Sequence, residues 1–392
     1  MPSQRAYENS HPWLTFHLDL SKSLARLWHK LGEITAECES LTRVPLRPEA
    51  AKRLHEVYLA KGALATTAIE GNTLTEEDAL RIVRQQQLNL PASQEYQKVE
   101  IANVIEAVND ICLSLLEADH ALTPAVIADY NRRVLKGTLM DEGAVPGEVR
   151  QHSVGVGGYR GAPAQDCDYL LERLCAWLTK GAFHTEGANR RMAYAVIKAC
   201  IAHVYLAWIH PFGDGNGRTA RLVEFHILVE AGVPLAAAHL LSNHYNLTRA
   251  RYYQELARAS ATRDVFPFLD YAATGMEEQL RQQLNVISKE LWQVAWENFI
   301  HSRFHGKHGE AAERRKRLVL DLSDRSGPVR RSGISSMSAR LARAYATKTD
   351  KTVTRDINAL VTMDLVVRTP EGLVANRDLL LAFSRPAQRR NL

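Results

Sequence analysis

An apolar segment that stops at a glycine-rich, charged stretch constrains the fold of this chain more than any other feature. Residues 193–209 are interrupted only by Lys198 and His203, so they predict a helix that is buried on nearly all sides. The next twelve residues, HPFGDGNGRTAR, contain three glycines, one aspartate and two arginines. The chain must therefore place an irregular polar loop directly after its most buried helix.

Helical periodicity dominates most of the sequence. Apolar residues recur every three or four positions over residues 12–42 and 48–70, and over the further segments 74–86, 95–118, 123–137, 167–181, 217–232 and 265–300. The rhythm changes at residues 147–163, GEVRQHSVGVGGYRGAP, where β-branched residues alternate around a Gly-Gly pair and indicate a β-hairpin. The sequence thus predicts a mainly α fold with a hairpin near its middle.

The glycines that follow the apolar helix indicate a loop that binds an anion. Each of Gly213, Gly215 and Gly217 would cost about 1 kcal/mol relative to alanine in a helix interior. They suit a loop whose backbone N–H groups turn toward a ligand, and the helical pattern resumes directly after them. Free N–H groups and the positive end of a helix dipole favour phosphate. Arg218 and Arg221, three residues apart on one helix face, can then clamp separate phosphates.

The other charged groups of this stretch indicate phosphoryl-type transfer from a nucleotide. Asp214 would repel a phosphate unless a Mg²⁺ or Mn²⁺ ion bridges them, and Mg²⁺ is usually held by one or two carboxylates with phosphate oxygens and water. His210 is the group at the loop entrance that can accept a proton near pH 7. A P-loop and a Rossmann motif do not fit, because no lysine follows the glycines and no strand precedes them. An EF-hand register starting at Asp214 would put Arg218 and Phe225 at ligand positions, which excludes calcium.

The same twelve residues resemble the motif of the Fic family, H-P-F-x-D/E-G-N-G-R-x-x-R, at every fixed position. The resemblance implies a Fic-fold helical bundle and a protein adenylyltransferase, which moves AMP from ATP to a Tyr, Thr or Ser hydroxyl of a target protein or of the chain itself. It implies that His210 is the catalytic base, Asp214 the metal ligand and Phe212 the anchor of the loop. It assigns nucleotide and phosphate binding to Gly213, Gly215, Asn216, Gly217, Arg218, Thr219 and Arg221.

The predicted hairpin stands where Fic proteins carry their flap. A flap holds the target segment over the active site by main-chain pairing, much as an added strand pairs with a sheet edge. The resemblance places Val156, Gly157 and Gly158 over the nucleotide. The family often ends the flap with Pro-Pro, whereas this chain has Ala162-Pro163.

A second stretch, TTAIEGN, resembles the inhibitory motif of the family, S/T-x-x-x-E-G/N, with its matching residues at Thr66, Glu70 and Gly71. A glutamate at this helix end, swung into the site, would pair with Arg221 and occupy the place of the γ-phosphate of ATP. We therefore expect an autoinhibited resting enzyme. The resemblance also places one of two adjacent tyrosines in the adenine pocket, although such a pair on a helix is as often one buried and one exposed residue. These tyrosines are Tyr252 and Tyr253.

The C-terminal part of the chain is basic and reads as a second domain. Residues 303–392 contain 19 Lys and Arg against 9 Asp and Glu. Two short helices, a strand, a Pro-Glu-Gly turn and a second strand describe a winged helix. Its second helix and wing gather side chains suited to DNA, although winged helices also contact proteins. These side chains are Lys348, Lys351, Thr352, Thr354, Arg355, Asn358 and Arg368.

The segments combine into a domain plan. We predict an N-terminal helical extension at 1–46, a Fic domain at 47–302 with its inhibitory helix at about 48–71 and its flap at about 147–163, a basic linker at 303–317, and a winged-helix domain at 318–384. The five cysteines form no C-x-x-C pair, so a reducing, cytoplasmic location is expected. The N-terminus has no apolar signal segment, so neither export nor a membrane span is expected.

Two other functions stay open at this point. The chain could remove AMP from a target, with Glu70 orienting a water molecule. It could also be a nucleic-acid-binding regulator whose Fic fold senses a nucleotide, although the intact His210 argues against a pure sensor. A homodimer could hold the inhibitory helix in place. The target protein is unknown, because a flap recognises main chain more than side chains.

Overall fold

Local signals in the sequence explain where several helices begin. In the computed structural model, Thr75 accepts a hydrogen bond from the N–H of Asp78, whose carboxylate accepts one from the N–H of Thr75, so the two form a capping box before a helix. Thr123 caps the helix that starts at Pro124. The structure describes residues 5–45, 48–117, 121–156, 159–179, 183 and 188–380.

The chain divides into two units, Met1–Leu284 and Asn285–Leu392. The first unit contains the following helices: α1 Ala6–Ser10, α2 Ala25–Thr42, α3 Pro48–Ala68, α4 Glu76–Val83, α5 Glu95–Glu117, α6 Pro124–Leu135, α7 Cys167–Thr179, α8 Ala188–Ile209, α9 Asn216–Glu230, α10 Leu235–Ala238, α11 Leu240–Leu247 and α12 Arg249–Thr262. Helix α13, Phe266–Arg303, contains the division between the units. The prediction of a mainly α fold is confirmed.

Helix α8 lies at the centre of the first core, as its apolar sequence predicts. It packs against α2, α7, α9 and α12, and residues such as Ile201, Ala202 and Val204 are fully buried. Its segment Arg190–Ile209 is long and apolar enough to cross a membrane by length and composition alone, and 78% of its most apolar window is buried inside the protein. Helix α9 follows at once and packs along α8, so the polar loop between them is fixed by two buried helices.

The prediction of a helix over residues 12–42 is wrong at its N-terminal end. The helix begins only at Ala25, and the segment before it is irregular apart from a short 3₁₀ turn, Leu20–Lys22. Leu14, Phe16 and Leu18 are buried at every second position, which is the period of extended chain. A helix would bury every third or fourth position, so this spacing does not fit a helix, and Phe16 has a left-handed φ of +51°.

The hairpin is shorter than its sequence pattern indicated. Strand β1, Gly155–Val156, pairs with β2, Tyr159–Arg160, in antiparallel register. Val149 makes a separate bridge to Phe212 in the loop between α8 and α9. Gly157 and Gly158 lie outside the described residues, and so does the side chain of Val156.

The second unit has its own core and its own sheet. It contains α14 Glu310–Ser323, a 3₁₀ segment Arg331–Ser336, α15 Ala339–Tyr345, α16 Asp350–Thr362, β3 Val366–Thr369 and β4 Gly372–Ala375. Strands β3 and β4 form an antiparallel hairpin, and Val329 adds a bridge to Leu373 on its edge. The core includes Trp296 and Ile300 from the end of α13.

The structure adds detail to the domain plan in this region. The predicted basic linker at 303–317 includes the last residue of α13, Arg303, and the start of α14, which begins at Glu310. Within the basic run ERRKR, residues 313–317, Arg314 is buried, and the fully buried carboxylate of Asp356 accepts a 2.6 Å hydrogen bond from its Nε. The division at residues 284 and 285 also falls earlier than the expected boundary after residue 302, because the end of α13 packs in the second core.

Candidate active site

His210 ends the buried helix α8 in an uncommon backbone conformation. Its N–H still donates to the carbonyl of Leu206 over 2.8 Å, but its φ of +50° turns the chain out of the helix. A left-handed conformation is rare for residues other than glycine, and such residues cluster at functional sites. Burial lowers the pKa of His210 to about 4. The imidazole is therefore neutral at pH 7, which is the form that a general base requires.

The loop after His210 is held by one of its own side chains. The Asn216 side chain accepts from the N–H of Phe212 over 3.0 Å and donates to its carbonyl over 2.8 Å. Phe212 is buried and anchors the loop in the core. Asn216 was predicted in the anion site. Its side chain is occupied within the loop, so it can offer a ligand only its main-chain N–H.

The start of α9 is open to an anion. Its N-cap residue is Gly215, at a φ of +73°, and no side chain caps the helix. A Cβ on Gly215 would lie 3.1 Å from Asn131 and Leu135, so both conformation and space favour glycine there. Uncapped first-turn N–H groups with the positive end of the helix dipole form an anion site. This is the arrangement expected for Gly213, Gly215 and Gly217.

Asn131 supports this loop and was not found from the sequence. It is fully buried on α6, and its Nδ2 donates to the carbonyl of Asp214 over 2.9 Å and to the hydroxyl of Thr219 over 3.2 Å. Its Oδ1 accepts from the N–H of Gly147. Thr219, predicted to bind phosphate, donates its buried hydroxyl to the carbonyl of Gly215. The hydroxyl is thus engaged inside the loop.

Asp214 presents a partly exposed carboxylate at the loop. One oxygen faces Arg218 at 3.4 Å, and the other accepts from the N–H of Asp141 over 3.3 Å. Its side chain is 22% exposed. Among the residues that the structure describes, no cluster of three or more His, Cys, Asp or Glu side chains could hold a metal ion. A single carboxylate fits an ion such as Mg²⁺, which takes its other ligands from phosphate and water.

Arg218 is paired with a carboxylate that the sequence did not reveal. Its Nη1 lies 3.3 Å from Oε1 of Glu100 on α5. The other oxygen of Glu100 accepts from Nδ2 of Asn72 over 3.0 Å. Burial raises the pKa of Glu100. This carboxylate therefore links Arg218, which is predicted to bind phosphate, to the segment just after Glu70.

Arg221 is held by the predicted inhibitory residues. Its Nε donates to the hydroxyl of Thr66 over 2.6 Å, and its Nη2 contacts the carbonyl of Thr66 at 2.9 Å and Oε1 of Glu70 at 2.5 Å. Although burial works against ionisation, the charge of Arg221 lowers the pKa of Glu70. A Cβ on Gly217 would lie 2.4 Å from the Glu70 carboxylate, so only glycine leaves room for this pair. Gly71 follows at a φ of +109°.

The two adjacent tyrosines on α12 have different surroundings. Tyr252 is buried, and its hydroxyl lies 2.8 Å from Nε2 of His203. Nδ1 of His203 lies 3.2 Å from Oε2 of the buried Glu224. Tyr253 is 40% exposed, and its hydroxyl donates to the carbonyl of Ile69 over 3.4 Å. Tyr253 therefore lies beside the inhibitory segment, whereas Tyr252 belongs to a buried polar network.

The comparison with known proteins agrees with this geometry. Residues 121–228 match the Fic/DOC family. This part of the chain is a Fic domain. It contains the flap, Asn131 and the whole loop from His210 to Arg221, while Thr66, Glu70 and Glu100 precede it. The recognition from the sequence motif is confirmed for this domain.

Similar proteins extend the likeness beyond the Fic domain. The protein adenylyltransferase Fic of Nematostella vectensis is 26% identical over 64% of this chain and 54% of its own length. That of Aedes aegypti is 29% identical over 67% of this chain and 48% of its own length. The chain spans about half the length of the curated relatives it matches.

Solved structures show the same fold. A Fic family protein from Desulfovibrio desulfuricans aligns with a TM-score of 0.56 at 20% identity, covering 90% of this chain and 94% of its own. Fic-1 from C. elegans aligns with a TM-score of 0.55 at 24% identity, covering 68% and 74%. The Fic fold of the chain is thus confirmed.

Proposed function

We propose that the chain is a protein adenylyltransferase, which transfers AMP from ATP to a Tyr, Thr or Ser hydroxyl of a target protein or of itself. One observation carries the proposal: a neutral His210 stands at the start of the loop that leads into an uncapped helix N-terminus, and the first two turns of that helix carry two arginines. The names of the relatives in Nematostella vectensis and Aedes aegypti, both protein adenylyltransferases, support the same activity.

The proposed reaction is a displacement at the α-phosphorus of ATP. The imidazole of His210 accepts the proton of the target hydroxyl, whose oxygen forms a bond to the α-phosphorus. The bond from that phosphorus to the β-phosphate oxygen breaks, and pyrophosphate leaves. The first N–H groups of α9 and the guanidinium of Arg218 stabilise the negative charge on the phosphates. A Mg²⁺ or Mn²⁺ ion held by Asp214 would neutralise further phosphate charge.

We propose that Glu70 restrains this activity in the resting protein. Its carboxylate occupies Arg221, the residue that the terminal phosphate of ATP would otherwise meet. The pair must separate before Arg221 can bind phosphate. ATP would therefore bind weakly or in an unproductive position while Glu70 stays in place.

The test compares three proteins with labelled ATP and Mg²⁺: the wild type, Glu70→Gly, and Glu70→Gly with His210→Ala. We expect the wild type to be nearly silent, the single variant to label itself or proteins of a lysate, and the double variant to be inactive. No more label in Glu70→Gly than in the wild type would contradict the inhibitory role of Glu70. Equal labelling by both variants would contradict the role of His210. Loss of label from a labelled target upon addition of wild-type chain would instead favour removal of AMP.

For the second unit we propose a winged helix that binds DNA. The support is the topology of short helices followed by a hairpin, together with the exposed Lys351, Arg355 and Asn358 on α16 and Arg368 on β3. Arg368 donates to Oδ1 of Asn358, which joins helix and wing. Binding that uses phosphate contacts should weaken steeply as salt rises, and Lys351→Ala should reduce the slope. Salt-independent binding would favour a protein partner.

We also propose a reducing, cytoplasmic location. All five cysteines are free thiols, and burial raises the pKa of Cys38 to about 12, which keeps that thiol protonated. Fractionation of cells that express the chain would test this, and recovery outside the cytoplasm would contradict it.

A further inference from the structure

Arg150 is a buried cation that has no carboxylate partner among the residues that the structure describes. The residue is 4% exposed. Its guanidinium donates only to main-chain carbonyls, to that of His210 from Nε over 2.6 Å, to that of Ile209 from Nη2 over 3.3 Å, and to those of His152 and Ala162. Burial lowers the pKa of Arg150. An unpaired buried charge is costly for a fold, so this placement needs a reason.

The four carbonyls belong to segments that the proposed reaction must keep together. Ile209 and His210 end the central helix α8, whereas His152 precedes the flap and Ala162 follows it. Main-chain bonds join the same segments, because Arg150 N–H donates to the carbonyl of Pro211 over 2.9 Å and Ala162 N–H donates to that of Ile209 over 3.2 Å. One guanidinium therefore connects the proposed base with both ends of the flap.

The packing around this junction leaves little freedom. A Cβ on Gly161 would lie 2.9 Å from Cβ of His210 and 3.0 Å from Nη2 of Arg150. The left-handed backbone of His210 is also an unfavourable conformation that its surroundings must hold. The bond from Nε to the His210 carbonyl fixes the peptide that follows this residue. The bond from His210 N–H to Leu206 fixes the peptide that precedes it.

We propose that Arg150 is a positioning residue, which holds the backbone of His210 and the two ends of the flap in one fixed relation. The consequence for catalysis rests on the proposed adenylyltransferase function: a hydroxyl held by the flap then meets the imidazole at a constant distance and angle. The hydrogen bonds of Arg150 go to none of residues 213–221, so the anion site should form without it. Its removal should therefore affect turnover rather than ATP binding.

The first test measures turnover in full-length chain that carries Glu70→Gly. Into it we place Arg150→Lys, Arg150→Met or the control Arg81→Lys, which alters an exposed residue of α4. Positioning predicts that kcat falls at least tenfold in Arg150→Lys and further in Arg150→Met, while KM for ATP stays within twofold and the control is unchanged. A lysine keeps the positive charge but cannot donate hydrogen bonds to all four carbonyls, so Arg150→Lys should retain only part of the parental kcat. A parental kcat in Arg150→Lys, or a fall of kcat matched by an equal rise of KM, would overturn the proposal.

The second test needs no activity. Hydrogen exchange should accelerate at least tenfold at the amides of His210 and Ala162 in Arg150→Lys, while the amides of α9 beyond Arg221 keep their protection. Unchanged exchange at both amides would overturn the proposal, and so would acceleration spread evenly over the first unit, because that is loss of stability alone. If Glu70→Gly transfers no AMP, the proposed function fails, and this measurement still decides the role of Arg150. If Arg150→Met does not fold, Arg150→Lys carries both tests.

Discussion

Replacing Glu70 by glutamine separates the charge of the inhibitory side chain from its bulk. Oε1 of Glu70 lies 2.5 Å from Nη2 of Arg221, and the two side chains are 34% and 1% exposed. Glutamine keeps the length of the side chain and can still accept one hydrogen bond through its amide oxygen, but the ionic attraction is lost. We expect the rate of AMP transfer to rise in the order wild type, Glu70→Gln, Glu70→Gly.

The exposure of the Glu70–Arg221 ion pair determines how much faster Glu70→Gln should be than the wild type. An exposed ion pair is worth at most about 1 kcal/mol, whereas removing one partner of a buried pair costs about 3–5 kcal/mol. Here Arg221 is buried, Glu70 is one-third exposed, and glutamine retains a hydrogen bond. We therefore expect the interaction with Arg221 to weaken by about 1–1.5 kcal/mol when glutamine replaces Glu70. At about 1.36 kcal/mol per factor of ten, Glu70→Gln should be about five- to thirteenfold faster than the wild type at limiting ATP.

The assay is the initial rate of AMP incorporation at an ATP concentration well below KM. Glu77→Gln is the matched control, because Glu77 pairs with Arg81 on the surface of α4 and its side chain is 73% exposed. It should stay within about twofold of the wild type. If Glu70→Gln is no faster than the wild type while Glu70→Gly is active, the bulk of the side chain inhibits the site, and the electrostatic reasoning is wrong.

Three further outcomes concern stability and can be measured by chemical or thermal unfolding. Burial lowers the pKa of His239 and of His244 to about 4. Protons therefore bind preferentially to the unfolded chain below about pH 6.5. Each histidine should lower the free energy of unfolding by about 2 kcal/mol at pH 5 relative to pH 7.5. A urea midpoint that stays constant over this range would contradict those shifts. Asp356→Asn should destabilise the second unit by about 3 kcal/mol, because two arginines lose their buried ionised partner, and an unchanged calorimetric transition would refute this. Gly62→Ala should destabilise the first unit by about 1–3 kcal/mol, because its Cβ would lie 2.3 Å from Nδ1 of His239, whereas Gly32→Ala meets nothing within 4 Å and should be neutral or stabilising.

The parts of the site that lie close together in sequence could be predicted, because their geometry is local. A helix end, three glycines and two arginines within twelve residues determine a loop and a helix N-terminus almost by themselves. The pairing of Glu70 with Arg221 was predicted across 151 residues, but only because a family motif and opposite charges pointed to it. Composition and periodicity alone would not have predicted that these two residues pair.

The supporting residues could not be predicted, because they act on main-chain atoms of distant segments. Asn131 and Arg150 bind carbonyls and an N–H group that every residue possesses, so no residue type in the partner segment signals the contact. The same limit explains Arg314, whose place in a basic run suggests a solvated face. Its burial depends on Asp356, which lies 42 residues further along the chain.

Arg218 and Arg221 are paired with carboxylates that differ in exposure and in their place on the helices. Glu100 projects from the second turn of α5, inside a regular helix, and its side chain is only 13% exposed. Glu70 follows the last residue of α3 by two positions, and its side chain is one-third exposed. The backbone on either side of Glu70 is held, by Thr66 against Arg221 and by Asn72 against α5. If the proposed function holds, rotation of the Glu70 side chain is a small movement that would free Arg221 for phosphate while the pairing of Arg218 with Glu100 stays in place.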